Sequence, residues 1–447
     1  MAGPARAGVP LPPGFLWGAS PSAPQIEGAV DADGRAASIW DVFASQPGAI
    51  ADGSTPGTAC DHYHRWPADV ALMRRAGMRA YRFSVAWPRV QPAGRGAVNG
   101  PGLDFYDHLT DALLEAGIRP MPCLYHWDLP QALQDRGGWM NRDIAGWFAD
   151  YAQVVAARLG DRVGDWFTLN EPSVSAILGH GMTLHAPGLG GGADATLKAL
   201  HHQNLAQGDA LAALRAIGPA FRLGTILSLQ PVRPSHPGEE HRAAAERWDA
   251  LWNRVPLDGV LRGEVPGILA EAMGRWILEG DLERIRFPLD RIGVNYYSRL
   301  YVEARPGGLV DAGFGPAPAG PRTDMGWPIE AHGLTETLED LRDNYGNPDV
   351  LITENGIACD DRADGAGRVD DRLRILYLEE HLAAVAQAIQ KGCRVGGYLA
   401  WSLLDNWEWQ EGYRRRFGLV RVDYRTGRRT PKASFDWYRR RIAETPA

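Results

Sequence analysis

Eight short, apolar, β-rich runs recur along the 447-residue chain, with helix-like sequence between them. The expected strands are Phe15–Ser20, Met78–Trp87, Ile118–Trp127, Trp166–Asn170, Arg222–Leu229, Arg291–Ser298, Asp349–Glu354 and Arg394–Ser402. Ala68–Ala76 and Asp371–Lys391 are the clearest intervening helices, with apolar residues three and four apart. Strands alternating with helices bury both faces of a parallel sheet, and eight of them close on themselves. The pattern predicts an α/β protein, one closed (β/α)8 barrel spanning residues 1–447. Gly188–Gly192 and Arg305–Arg322 are rich in Gly and Pro. Regular sequence resumes after each, so they read as long loops over the C-terminal face of the barrel rather than as linkers.

Two of these runs stop abruptly at a glutamate. Val350–Ile352 leads into Thr353-Glu354-Asn355-Gly356, and Phe167–Leu169 leads into Asn170-Glu171-Pro172. Barrel chemistry gathers at the carboxyl ends of strands. A carboxylate there is costly unless something pairs with it. Each glutamate alone also reads as a strand-end residue beside a turn, since Asn355-Gly356 is itself a turn signal. Together, 354 − 171 = 183 residues apart, they suggest two carboxyl groups facing one pocket. One protonated and one ionised carboxyl flanking a bond is what glycosidic-bond hydrolysis requires.

Composition narrows the partners. Lys and Arg number 47 against 54 Asp and Glu, a formal charge of −7 without a basic cluster, which argues against nucleic acid. Arg414-Arg415-Arg416 reads as a solvated face. Sixteen tryptophans leave indole faces available for sugar rings. Cys60, Cys123, Cys359 and Cys393 are scattered without a CxxC pair and read as free thiols of a reducing compartment, with a distant disulfide as the alternative. The opening MAGPARAGVPLPPGF is too broken by Pro and Gly for a signal-peptide core, and no 18-residue apolar run appears. A soluble, cytoplasmic protein is expected, with no membrane partner and an oligomeric state left open. Cys60-Asp61-His62-Tyr63-His64 suggests a metal site, but a fourth ligand is missing and Asp61 reads as a helix N-cap.

TLNEP and ITENG resemble the acid/base and nucleophile motifs of glycoside hydrolase family 1, the β-glucosidase family, and the resemblance runs from Phe15 to about Arg441. It implies a TIM barrel acting on a small-molecule β-glycoside, without metal or cofactor. Glu171 would be the acid/base and Glu354 the nucleophile. Arg82 shares a strand face with Ser84 and Ala86, and a buried Arg needs an anion. The resemblance supplies Glu354 as that anion. It also implies that Tyr297 hydrogen-bonds Glu354, with Asn295 on the same face supporting it. Gln25, His126, Trp127, Asn170, Trp401, Glu408, Trp409 and Phe417 would contact the sugar, and Trp327 the aglycone. Two positions depart from the family pattern: Pro24 replaces a usual Tyr, and Ser173 stands where an aromatic commonly follows Asn-Glu-Pro. The second departure predicts a roomier or more polar aglycone side. Glu408 would repel a phosphate, which disfavours a 6-phosphoglycosidase. Gln25 and Glu408 resemble residues that close a pocket around one terminal sugar, against an endo-β-glycanase. A non-catalytic sugar-binding barrel would usually lack one glutamate, and both are present.

Overall fold

The computed structural model describes residues 10–446, so residues 1–9 of the opening stretch lie outside it. All eight expected strands form, as β1 (Leu16–Ser20), β2 (Ala80–Ser84), β3 (Arg119–Tyr125), β4 (Asp165–Asn170), β5 (Arg222–Ser228), β6 (Arg291–Asn295), β7 (Val350–Asn355) and β8 (Val395–Trp401). They are parallel, each bonded to the next, and β8 closes on β1 through pairs such as Leu399 with Gly18. Ala80, Met121, Phe167, Ile226, Leu351 and Leu399 fill the barrel interior, so the barrel is packed below its mouth.

The ladder of β2 ends at Ser84, because Pro88 helps turn Trp87–Val90 into a short helix. Helices occupy His62–Ala76 and Arg372–Gln390. The first starts earlier than expected. Asp61 precedes it in a left-handed conformation (φ 53°) and makes no capping bond; its carboxylate instead holds His64 (2.6 Å) and Arg65 (2.8 Å). Arg305–Arg322 is not a plain loop. Ala312–Phe314 within it pairs antiparallel with Leu300–Ala304, which joins Val232–Pro234 in a three-stranded sheet beside the barrel mouth.

The strands carrying the two glutamates are irregular where it matters. Pairing slips between Phe167 and Asn170 on β4, and between Ile352 and Asn355 on β7. Such bulges re-aim side chains at the rim of a barrel. Gly356, read above as part of a turn, answers a different need: a Cβ there would stand 1.8 Å from the Trp401 carbonyl oxygen. Only glycine lets the chain leaving β7 pass so close to β8.

Candidate active site

Glu171 follows β4 with a left-handed backbone (φ 51°), a conformation that non-glycine residues adopt mainly where surrounding packing enforces it. Glu354 is the fifth residue of β7. Both are buried, and both line one cavity of about 660 Å³ at the barrel mouth.

Their surroundings differ. Arg82 ion-pairs with Glu354 through one guanidinium nitrogen and donates to Asn170 Oδ1 with another (2.8 Å). Tyr297 donates its hydroxyl to the second oxygen of Glu354 (2.8 Å). Asn295 reaches both carboxyls. Its amide donates to Glu171 (2.8 Å) and to Asn170 Oδ1 (3.1 Å), while its own oxygen accepts from Thr353 (2.7 Å). Asn295 therefore binds Glu171 directly and also favours the Glu354 anion.

Burial, then the charge of Glu354, push the Glu171 carboxyl up to about 8, with Asn295 and Arg82 pulling the other way. Burial also raises Glu354, but Arg82 and Tyr297 oppose it and favour its anion. A third carboxyl, Glu408, is pushed up to about 8 by burial and by Glu354, against a hydrogen bond from Gln25. One guanidinium compensates one buried anion. The charge therefore rests on Glu354, and protons rest on Glu171 and Glu408.

The remaining predicted residues form the walls. Asn170 donates to His126 Nε2 (3.1 Å), and its carbonyl accepts from Trp127 Nε1 (2.9 Å). That bond makes Nδ1 the protonated nitrogen of a neutral His126 ring, whose pKa burial and Arg82 drive well down. His126 stacks against Trp401 and Trp409, with ring centres 5.9 and 5.8 Å apart. Gln25 accepts from Ser22 (2.6 Å) and donates to Asn406, the Trp407 carbonyl and Glu408. Phe417, Tyr297 and Trp327 pack together. Gln25, Arg82, Asn170 and Asn295 are fully buried, one layer behind the side chains that line the cavity.

Sequence reasoning missed Trp40, which packs tilted against Trp409 with ring centres 4.6 Å apart and backs it from behind. An isolated Trp outside every recognised motif carries no signal for that role. Nor does Ser173 open a polar aglycone side. It is buried, and the wall beside it is made by Val174 and Leu178.

Known proteins share both sequence and fold. The sequence profile of Glycosyl hydrolase family 1 matches residues 8–446. The thermostable beta-glucosidase B of Thermobispora bispora is 49% identical over 96% of this chain and 90% of its own length. A bifunctional beta-D-glucosidase/beta-D-fucosidase of Bifidobacterium breve is 46% identical over 98% and 99%. The crystal structure of a psychrophilic beta-glucosidase from Micrococcus antarcticus superposes with a TM-score of 0.94 at 46% identity, covering 98% of each chain. With its whole described length matched, the chain belongs to glycosyl hydrolase family 1.

Proposed function

We propose that this chain is a retaining, exo-acting β-glucosidase that removes terminal β-D-glucosyl residues, and that it works as one catalytic unit. The observation that carries the reading is the unequal pair of buried carboxyls in one cavity, Glu354 bound by Arg82 and Tyr297, which favour its anion, and Glu171 pushed up to about 8 by burial and by Glu354. Glu354 attacks the anomeric carbon while Glu171 gives its proton to the departing oxygen. Glu171, now a base, then takes a proton from water, which releases the sugar from Glu354. Retention requires the two carboxyls about 5–5.5 Å apart.

The sugar lies against Trp401, with Glu408 at its far hydroxyls and Gln25 holding Glu408 from behind. His126 Nδ1 is a buried donor without a protein partner, suited to a sugar oxygen. Trp127, Trp409 and Phe417 complete the glycone site, Asn170 orients His126 from behind, and Trp327 stands on the aglycone side. The glucosidase and fucosidase names of the relatives favour glucose with tolerance at the outer hydroxyls. The four cysteines are free and buried, in keeping with a cytoplasmic enzyme; among the described residues no helix is long and apolar enough to cross a membrane.

The test is the anomer first released. Proton NMR of nitrophenyl β-glucoside hydrolysis should show β-glucose before mutarotation, and Glu354→Ala should abolish turnover. Release of α-glucose first would remove the covalent mechanism.

A further inference from the structure

Tyr297 reaches Glu354 from a stretch of chain that the barrel ladder no longer holds. β6 ends at Asn295, and three hydrogen bonds fasten the two residues that follow. Tyr296 donates its N–H to the Glu354 carbonyl (3.0 Å), and the Tyr296 carbonyl accepts from Asn355 Nδ2 (2.7 Å). The Tyr297 carbonyl accepts from the Tyr377 hydroxyl (3.0 Å). Two of these partners are side chains, Asn355 at the end of β7 and Tyr377 on the helix Arg372–Gln390, and neither lines the cavity.

The protons of this cluster have one arrangement. A carbonyl only accepts, so the amide nitrogen of Asn355 faces Tyr296, and its second hydrogen goes to the Tyr377 oxygen (3.1 Å). The Asn355 oxygen then accepts from Tyr398. Tyr377 accepts from Asn355, which leaves its own proton for the Tyr297 carbonyl. Asn355, Tyr377 and Tyr398 are all buried. His381 clamps the Tyr377 ring, stacked with centres 3.7 Å apart, and its Nδ1 donates to the Tyr377 carbonyl (2.8 Å). The hydroxyl of Tyr297 serves Glu354 only while its ring is held at hydrogen-bonding distance and angle. We infer that Tyr377 is a positioning residue for the nucleophile: its hydroxyl, fixed by Asn355, holds the Tyr297 backbone so that the Tyr297 hydroxyl stays on Glu354. This rests on the glycosidase reading above, in which Glu354 reacts as the anion.

The experiment follows kcat/KM for nitrophenyl β-glucoside against pH, whose acid limb reads Glu354 because attack needs the carboxylate. Tyr297→Phe deletes the bond that favours the anion and should move that limb up by about one unit. Tyr377→Phe removes one oxygen, keeps the ring on His381, and should move the limb the same way by less. In the Tyr297→Phe background, Tyr377→Phe should add nothing. Glu354 also faces Arg82, and its charge acts on Glu171 and Glu408; both variants leave these in place. Around Tyr377, burial pushes Tyr296, Tyr398 and Cys359 up, away from the acid limb, and pushes His381 down to about 4. A shift that came from His381 would persist in the Tyr297→Phe background and would overturn the inference. A Tyr297→Phe shift with none from Tyr377→Phe reduces Tyr377 to a structural role and leaves the nucleophile assignment standing. No shift from Tyr297→Phe overturns both. Should Tyr377→Phe not fold, Tyr398→Phe, which frees the Asn355 oxygen, tests the same chain of bonds. Its acid limb should also rise, by less than that of Tyr297→Phe, and an unmoved limb overturns the inference.

Discussion

Asn170 joins the two halves of the site. Its oxygen accepts from both Arg82 and Asn295, and its nitrogen donates to His126, so the amide has one orientation and fixes its three neighbours. The chain of contacts runs from Glu354 through Arg82, Asn170 and Asn295 to Glu171, and every member is buried. Asn295 has a distinct effect within it. By donating to Glu171 it favours the carboxylate and so lowers a pKa that burial raises. Asn295→Ala should therefore move the basic limb of the kcat/KM–pH profile, which reports the free enzyme's acid, upward from about 8. An unshifted or lowered limb would mean that Asn295 does not act on Glu171. The glutamates themselves were legible because each ends an apolar run in a polar stop. The hydrogen-bond partner of Asn295 was not, since sequence places Asn295 and Tyr297 on one face but does not say which of two carboxyls each reaches.

Elements were legible where a run was long and its end sharp. They were misjudged where apolar sequence continues past the ladder, as in Val85–Trp87 after β2, or where a strand is too short to show a period, as in Ala312–Phe314. The link between elements was hidden altogether. Lys432, fully buried after the strand Arg428–Pro431, pairs with Asp361 from the segment after β7 and with Asp405 (2.6 Å) from the segment after β8. Arg374 and Arg416 close the network on Asp361 (2.7 Å) and Asp405 (2.6 Å). Three stretches far apart in sequence are thus tied beneath the loop that carries Glu408 and Phe417. Removing one partner of such a cluster leaves buried charge uncompensated, at a cost of about 3–5 kcal/mol. Lys432→Met should show that loss in chemical denaturation. A cost below about 1 kcal/mol, the range of an exposed pair, would mean that water reaches the cluster.

Across the whole molecule the site and the frame titrate in opposite directions. Glu171 and Glu408 bind protons more tightly in the folded chain than their ordinary value of 4.5. Their contribution to stability is complete below that value and is lost as pH rises toward about 8. Asp69 and Asp405 behave the other way. Burial would raise both, but His62 and Arg429 at the first, and Lys432 and Arg416 at the second, hold them below 3.8, so their contribution is present above that value and is lost in acid. The cost of keeping a proton-hungry acid in the cavity is thus confined to neutral and alkaline pH, where the reaction needs it. Glu171→Gln keeps the shape and an acceptor for Asn295 but removes the ionisation. Its melting temperature should exceed that of the unmodified protein at pH 8, and the difference should shrink to nothing near pH 4.5. A gain equal at both pH values would come from packing, and would show that Glu171 is not held protonated against its will by the fold.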